Sequence, residues 1–232
     1  MQPRPGIQAL LFDLDGTFID SAPGMAGAAN GLRALHGLPP LEAHLLRAGI
    51  NSGARGMLQL ALSMAPTHPD YALWREKFYD FYESHLPGGA HWMPGVEPLV
   101  GHLEACGIAW GIVTNKASRF ALPICEELGI ARRAACIVCG DTTPHTKPHP
   151  GPLHHAAASL GVASTACAYV GDDRRDVTAA RAAGMHAIAA RYGFVAPGDD
   201  PATWGADAII DYPADLMPCF EWPVAAARHP PR

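Results

Sequence analysis

No apolar run in this sequence approaches the ~20 residues needed to cross a bilayer, so a membrane-spanning chain is not expected. Basic clusters are missing too. The 17 Lys and Arg are outnumbered by 22 Asp and Glu, for a formal charge of −5, and nowhere do they gather into the footprint of a nucleic-acid binder. Neither membrane nor nucleic acid is therefore an expected partner, and a small molecule is. Cysteine is sparse: Cys106, Cys125, Cys136, Cys139, Cys167 and Cys219 are scattered through apolar stretches, which suits reduced, buried thiols and not a disulfide framework. Cys136 and Cys139 form a CxxC, but no second pair completes a zinc site and CIVC reads as a buried strand. The opening residues MQPRPGIQALLFDLDG turn acidic where a secretory leader would carry its cleavage site, so the expected location is the cytoplasm.

What is present is a chain of 232 residues, 49% apolar, enough for one substantial core and a small second lobe. IQALLF (7–12) is a short run of strand formers that stops at the acidic DLDGT. The same grammar recurs at IAWGIVTN (108–115), AACIVCGD (134–141) and ACAYVGDD (166–173). Alanine-rich helical segments separate these runs, at about 96–106, 117–129, 149–160 and 175–183. This alternation predicts an α/β fold with a doubly wound, Rossmann-like parallel sheet covered on both faces. Residues 21–91 break the pattern with helical stretches and no convincing strand, and are expected to be an inserted all-helical cap. The catalytic core would then be 1–20 plus 92–232, with hinges after Ser21 and within the Gly- and Pro-dense LPGGAHWMPG. The tail predicts an edge strand at 207–210, a last helix, and a loosely ordered end after about residue 220.

In an open parallel sheet, ligands bind beyond the carboxyl ends of the strands, so the residues that follow each apolar run matter most. After the first run come Asp13 and Asp15, after the second Thr114 and Asn115, and after the fourth Asp172, Asp173 and Asp176. Five carboxylates on one rim repel one another, and a hard cation that takes oxygen ligands relieves this. Mg²⁺ fits, whereas these positions offer no His or Cys for Zn²⁺. Lys147, before a predicted helix, supplies a second positive charge.

Four blocks, FDLDGTFIDS (12–21), VTNK (113–116), TKPHP (146–150) and VGDDRRD (170–176), stand in order at strand ends and helix starts. In these the sequence resembles the haloacid dehalogenase superfamily of phosphatases, in its branch with a helical cap. The resemblance implies a phosphomonoesterase working through an aspartyl-phosphate. Asp13 matches the nucleophile and Asp15 the general acid and base. Asp172 matches the side-chain metal ligand, completing a site with the Asp13 carboxylate and the Asp15 backbone carbonyl. Asp176 would orient metal-bound waters. Thr114 matches the hydroxyl that binds the transferring phosphoryl group, with Asn115 beside it, and Lys147 the charge that steadies it. Gly16 and Thr17 open a segment whose free N–H groups suit an anion.

Other readings stand beside these. Asp173 and Asp176 also suit a helix N-terminus, and for Asp173 both readings stay open. Arg55, in INSGARGM, would suit a second anionic group of the substrate or would simply begin a helix at the surface. His145, His149, His154 and His155 read as loop and helix-surface residues, and Trp74, Phe78, Tyr79, Phe81 and Tyr82 as cap packing. Within the superfamily the likeness is to phosphoglycolate phosphatase-like enzymes and, through SGARGM, VTNK, GDDRRD and RYGF, to N-acetylmuramic acid 6-phosphate phosphatases. A hexose phosphate mutase and a noncatalytic phosphate-sensing domain are the alternatives. The expected partner is a small phosphorylated metabolite, and the expected state a monomer or homodimer.

Overall fold

The computed structural model describes residues 6–222. Six strands form one parallel sheet in the order β5-β4-β1-β6-β7-β8, with β1 Ala9–Phe12, β4 Ala109–Val113, β5 Cys136–Val138, β6 Cys167–Gly171, β7 His186–Ala190 and β8 Ala208–Ile210. Each crossover carries helix or turn, as parallel neighbours require. Helices α5 (Val96–Ala105), α6 (Ser118–Glu127), α7 (Gly151–Ser159) and α8 (Arg174–Ala182) flank the sheet. Alternation along β1 divides the core: Leu10 and Phe12 join one buried cluster, Ala9 and Leu11 the other. Both faces are thus covered, which is why the strands read as unbroken apolar runs.

A second sheet has only β2 (Ile19–Asp20) and β3 (His91–Trp92), paired antiparallel with Ile19 opposite Trp92 and Asp20 opposite His91. Between these strands lie four helices, α1 Ala22–Leu35, α2 Ala43–Arg47, α3 Gly53–Leu62 and α4 Tyr71–Ser84. Their buried side chains, among them Leu32, Leu58, Phe78 and Tyr82, are continuous with the cluster on the Phe12 face of the sheet. The helical insert also touches α6 directly: Tyr79 and Tyr82 each lie 5.2 Å from the Phe120 ring, and Arg119 pairs with Glu83 at 3.7 Å.

The parallel α/β sheet matches the sequence expectation, with three differences of detail. The expected return hinge LPGGAHWMPG contains strand β3, which pairs with β2 just ahead of Ser21, so that His91 and Trp92 share one strand. The strand β7, HAIAA, was not expected, because three alanines in five residues carry no strand signal until β6 and β8 flank them. The last helix is a run of 3₁₀ turns, Pro213–Cys219, in which Pro218 removes an amide that an α-helix would use. The expected loose end lies from residue 223 onward outside the described residues. Among those described, no helix is long and apolar enough to cross a membrane.

Candidate active site

β1 sits between β4 and β6, with Phe12 in register with both Ile112 and Val170. The residues leaving these three strands therefore emerge side by side, about 5 Å apart from strand to strand. Here Asp13, Asp172 and Asp176 converge, each offering a carboxylate oxygen within 4.8 Å of the others, and all three are buried. The loop after β5 delivers Lys147, 3% exposed. Its ammonium lies 2.7 Å from Asp13 Oδ1, 2.7 Å from Asp176 Oδ1 and 2.7 Å from the Tyr169 hydroxyl, one acceptor for each N–H. Asn115 lashes that loop in place: its side chain both donates to the Lys147 carbonyl and accepts from the Lys147 N–H, each at 2.9 Å.

Asp172 is gripped from several sides. Thr17 donates to Oδ1 at 3.0 Å, while Oδ2 accepts from the Phe194 N–H at 2.6 Å and from Asn51 of the helical insert at 3.2 Å. Two glycines make room for it. A Cβ at Gly16, whose φ is +82°, would lie 2.2 Å from Asp172 Oδ2, and one at Gly193 would lie 2.3 Å from Asp172 Cβ. Gly16 gives its N–H to Ile19 and Thr17 its hydroxyl to Asp172, and neither lines the cavity described below, so the structure shows them shaping the loop and holding the carboxylate.

Charge balance in this corner is uneven. Asp15 is paired with Lys116, whose ammonium donates to its two oxygens at 2.8 and 3.0 Å. Asp173 caps α8, accepting from the Arg175 N–H at 2.8 Å and its Nε at 2.7 Å, and those bonds hold its carboxyl below the usual range despite burial. Asp176 closes the same capping box by accepting from the Asp173 N–H at 3.0 Å. Asp176 thus both closes the helix start and belongs to the acidic cluster. Lys147 pairs with Asp13 and Asp176, whereas Asp172 is held by the neutral donors of Thr17, Asn51 and Phe194. Burial is the main cause that drives Asp13 up to about 7 against the pull of Lys147, and burial with repulsion from Asp13 and Asp176 drives Asp172 well above the carboxylate range.

This donor set fits a hard divalent cation. It is made of oxygen only, it is already cradled, and a charge of two would balance three carboxylates against one ammonium. The four histidines expected at the surface take no part: His145 and His149 stack on each other at 4.1 Å, and His154 bonds Ser164. The CxxC thiols are free, and burial pushes Cys136 and Cys139 each up to about 11.

Above the acidic corner, between core and insert, opens a cavity of about 450 Å³. Asp13, Asp15, Thr114, Asn115 and Lys147 form its floor, Ile50–Arg55 one wall, and Tyr71, Phe78, Tyr79, Tyr82 and Phe120 another. Arg55 faces this space and is exposed, with no ion pair among the described residues. Over residues 10–190 the sequence matches the family model described as haloacid dehalogenase-like hydrolase. The chain belongs to that family.

Haloacid dehalogenase-like relatives of this chain include an N-acetylmuramic acid 6-phosphate phosphatase of Pseudomonas aeruginosa, 39% identical over 92% of this chain and 95% of the relative. A phosphoglycolate phosphatase of Xanthomonas campestris is 44% identical over 93% of this chain and 97% of its own. Among solved structures, a predicted phosphoglycolate phosphatase from Haemophilus somnus superposes with a TM-score of 0.79 at 27% identity, over 91% of this chain and 96% of that one.

Four contributors to the site were not singled out in the sequence. Lys116 stands inside VTNK and Arg175 inside GDDRRD, so position beside a motif was the available signal. Asn51 reaches Asp172 from the insert, and Arg175 donates to the Asn51 carbonyl, so one residue ties the insert to the acidic loop. Tyr169 lies mid-strand, where only the fold shows that its hydroxyl meets Lys147.

Proposed function

We propose that this chain is a Mg²⁺-dependent phosphomonoesterase that passes the phosphoryl group of a small organic phosphate to Asp13 and then to water. The observation that carries this reading is the trio Asp13, Asp172 and Asp176, short of one divalent charge, with Asp13 and Asp176 lining the cavity between core and insert. Mg²⁺ would be held by the Asp13 and Asp172 carboxylates and the Asp15 carbonyl, with Asp176 within reach to orient its waters. When bound, it supplies the charge that lets a carboxylate approach a phosphate anion.

The chain's own residues do the rest. An oxygen of Asp13 attacks phosphorus, and the ester oxygen departs toward Asp15, which gives it a proton and later takes one from the attacking water. Lys116 and Ser21, both bonded to the Asp15 carboxylate, keep it on the leaving-group side. Thr114 and Lys147 bind the phosphoryl oxygens, with Asn115 holding Lys147 in place. Arg55 meets a second anionic group. Residues 21–91 act as a cap that shuts water out, with Asn51 as its point of contact with the acidic loop.

Replacing Asp15 by Asn is expected to lower kcat/KM on alkyl phosphates by at least ~10², with a smaller loss in kcat/KM on p-nitrophenyl phosphate, whose leaving group needs no proton. Equal losses on both esters would remove the acid role. EDTA should stop turnover and Mg²⁺ restore it, and full activity in a metal-free preparation would contradict the charge argument.

Metal binding also has a pH signature. The folded protein holds the Asp13 proton up to about 7 against an ordinary 3.8, so this group's contribution to stability is full at low pH and is lost as pH rises through that window. Asp172 acts in the same direction. Mg²⁺ displaces that proton, so its addition should raise Tm more at pH 8 than at pH 6. A larger rise at pH 6 would overturn the assignment.

The substrate reading has two branches. The relatives support a phosphoglycolate phosphatase-like activity. A cavity of about 450 Å³ lies within the range that encloses drug-sized ligands and is several times the size of a two-carbon phosphate, which favours a carboxylated sugar phosphate such as N-acetylmuramic acid 6-phosphate. Comparison of kcat/KM for the two decides between them. Phosphate released to water, and not passed to a second sugar hydroxyl, separates both from a mutase.

A further inference from the structure

Tyr82 sits in the last turn of α4, 3% exposed, stacked on Phe78 at 6.0 Å and against Phe120 at 5.2 Å, and it lines the cavity. Among the described residues, its hydroxyl is the one buried side-chain polar atom with no hydrogen-bond partner. Buried polar groups are nearly always satisfied, so an orphan on a cavity wall points to a partner that arrives with the ligand. The Lys116 ammonium acts on the phenol through its charge without closing a hydrogen bond to it. Phe78 and Phe120 build the same surface without a hydroxyl.

Its neighbours say which part of a ligand it meets. The Lys116 ammonium lies 4.9 Å from the centre of the Tyr82 ring and gives two of its three N–H groups to Asp15. Outward from Asp13, then, come Asp15, Lys116 and Tyr82. With phosphorus against Asp13 and the ester oxygen at Asp15, the substrate's carbon chain leaves past Lys116 toward Tyr82.

We infer that the Tyr82 hydroxyl, beside Lys116, is a specificity subsite that hydrogen-bonds an oxygen on the carbon next to the ester-bearing carbon of the substrate. Phosphoglycolate carries its carboxylate on that carbon, and a hexose 6-phosphate carries its ring oxygen there, so either substrate branch satisfies it. Burial also pushes the Tyr82 phenol up in spite of Lys116, so it stays protonated and available as a donor. This inference rests on the phosphomonoesterase reading above.

The test is Tyr82→Phe, which keeps the ring and its packing. kcat/KM is measured for wild type and variant on phosphoglycolate, N-acetylmuramic acid 6-phosphate and ethyl phosphate, which lacks that oxygen, and Tm is recorded for both proteins. The variant should melt no lower than wild type, because it loses only an unpaired polar atom. It should lose at least about tenfold in kcat/KM on whichever oxygen-bearing ester wild type prefers, and less than about twofold on ethyl phosphate. An unchanged ratio between the oxygen-bearing ester and ethyl phosphate would overturn the subsite, and so would an equal fall on both or a lower Tm with that ratio intact. A wild type that releases phosphate from none of the three overturns the phosphatase reading itself, a result distinct from the other two.

Discussion

Asp13→Asn should leave a folded protein with kcat at least about 10⁴ lower, the scale expected when the nucleophile itself is removed. The amide is a poor nucleophile toward phosphorus and binds a hard cation less well than a carboxylate does. It also removes one of three clustered buried carboxylates, which relieves repulsion on Asp172 and Asp176. The metal-free variant should therefore be at least as stable as wild type at pH 8, while its gain in Tm on adding Mg²⁺ shrinks. Calorimetric melting with and without Mg²⁺, beside the rate, checks both halves. Near-wild-type turnover would remove Asp13 from the chemistry.

Lys147→Met has the opposite signature. Lys147 gives its three N–H groups to Asp13, Asp176 and Tyr169, and among the described residues no other cation forms an ion pair with Asp13 or Asp176. Met matches its length but carries no charge, so the variant keeps a buried cluster of like charges without its counter-ion. Breaking a buried pair on one side costs about 3–5 kcal/mol, and that loss should appear in the metal-free protein. It should be greatest at pH 8 and smaller at pH 6, where Asp13, at about 7, is largely protonated. Added Mg²⁺ should recover part of the stability but not the rate, which should stay at least about 10² below wild type because the phosphoryl oxygens lose a donor. Urea titrations at the two pH values, each with and without Mg²⁺, separate these effects. A variant equally stable at pH 8 without metal would show that the cluster is not short of positive charge.

Much of this was legible before any coordinates. The strand ends at 12, 113 and 171 were visible because fully buried parallel strands are written as short apolar runs that stop at polar residues, here Asp13, Thr114 and Asp172. The insert was visible because it contains helix periodicity and no strand pattern. What stayed hidden depends on pairing across long separations in the chain. Lys116 and Asp15 are 101 positions apart and Asn51 and Asp172 are 121 apart, and nothing in either local pattern announces the other. Gly16 was read as offering its N–H to an anion, yet that N–H goes to the Ile19 carbonyl, and the Thr17 hydroxyl reaches Asp172, 155 positions away. Strand β7 escaped because its alanines pack against β6 and β8 through backbone bonds, and intrinsic preference plays little part there. Tyr82 looked like one more packing aromatic, since an unpaired hydroxyl is a property of the surroundings and not of the residue.

Rapid acid quench of the Asp15→Asn variant during turnover of p-nitrophenyl phosphate, whose leaving group needs no proton, followed by mass spectrometry of its peptides, tests the phosphoryl-transfer route most directly. Slowed hydrolysis should let the covalent species accumulate, and the peptide that contains Asp13 should carry one phosphoryl group that hydroxylamine removes. A phosphoryl group on any other residue, or free phosphate appearing with no covalent species on Asp13, would contradict the account.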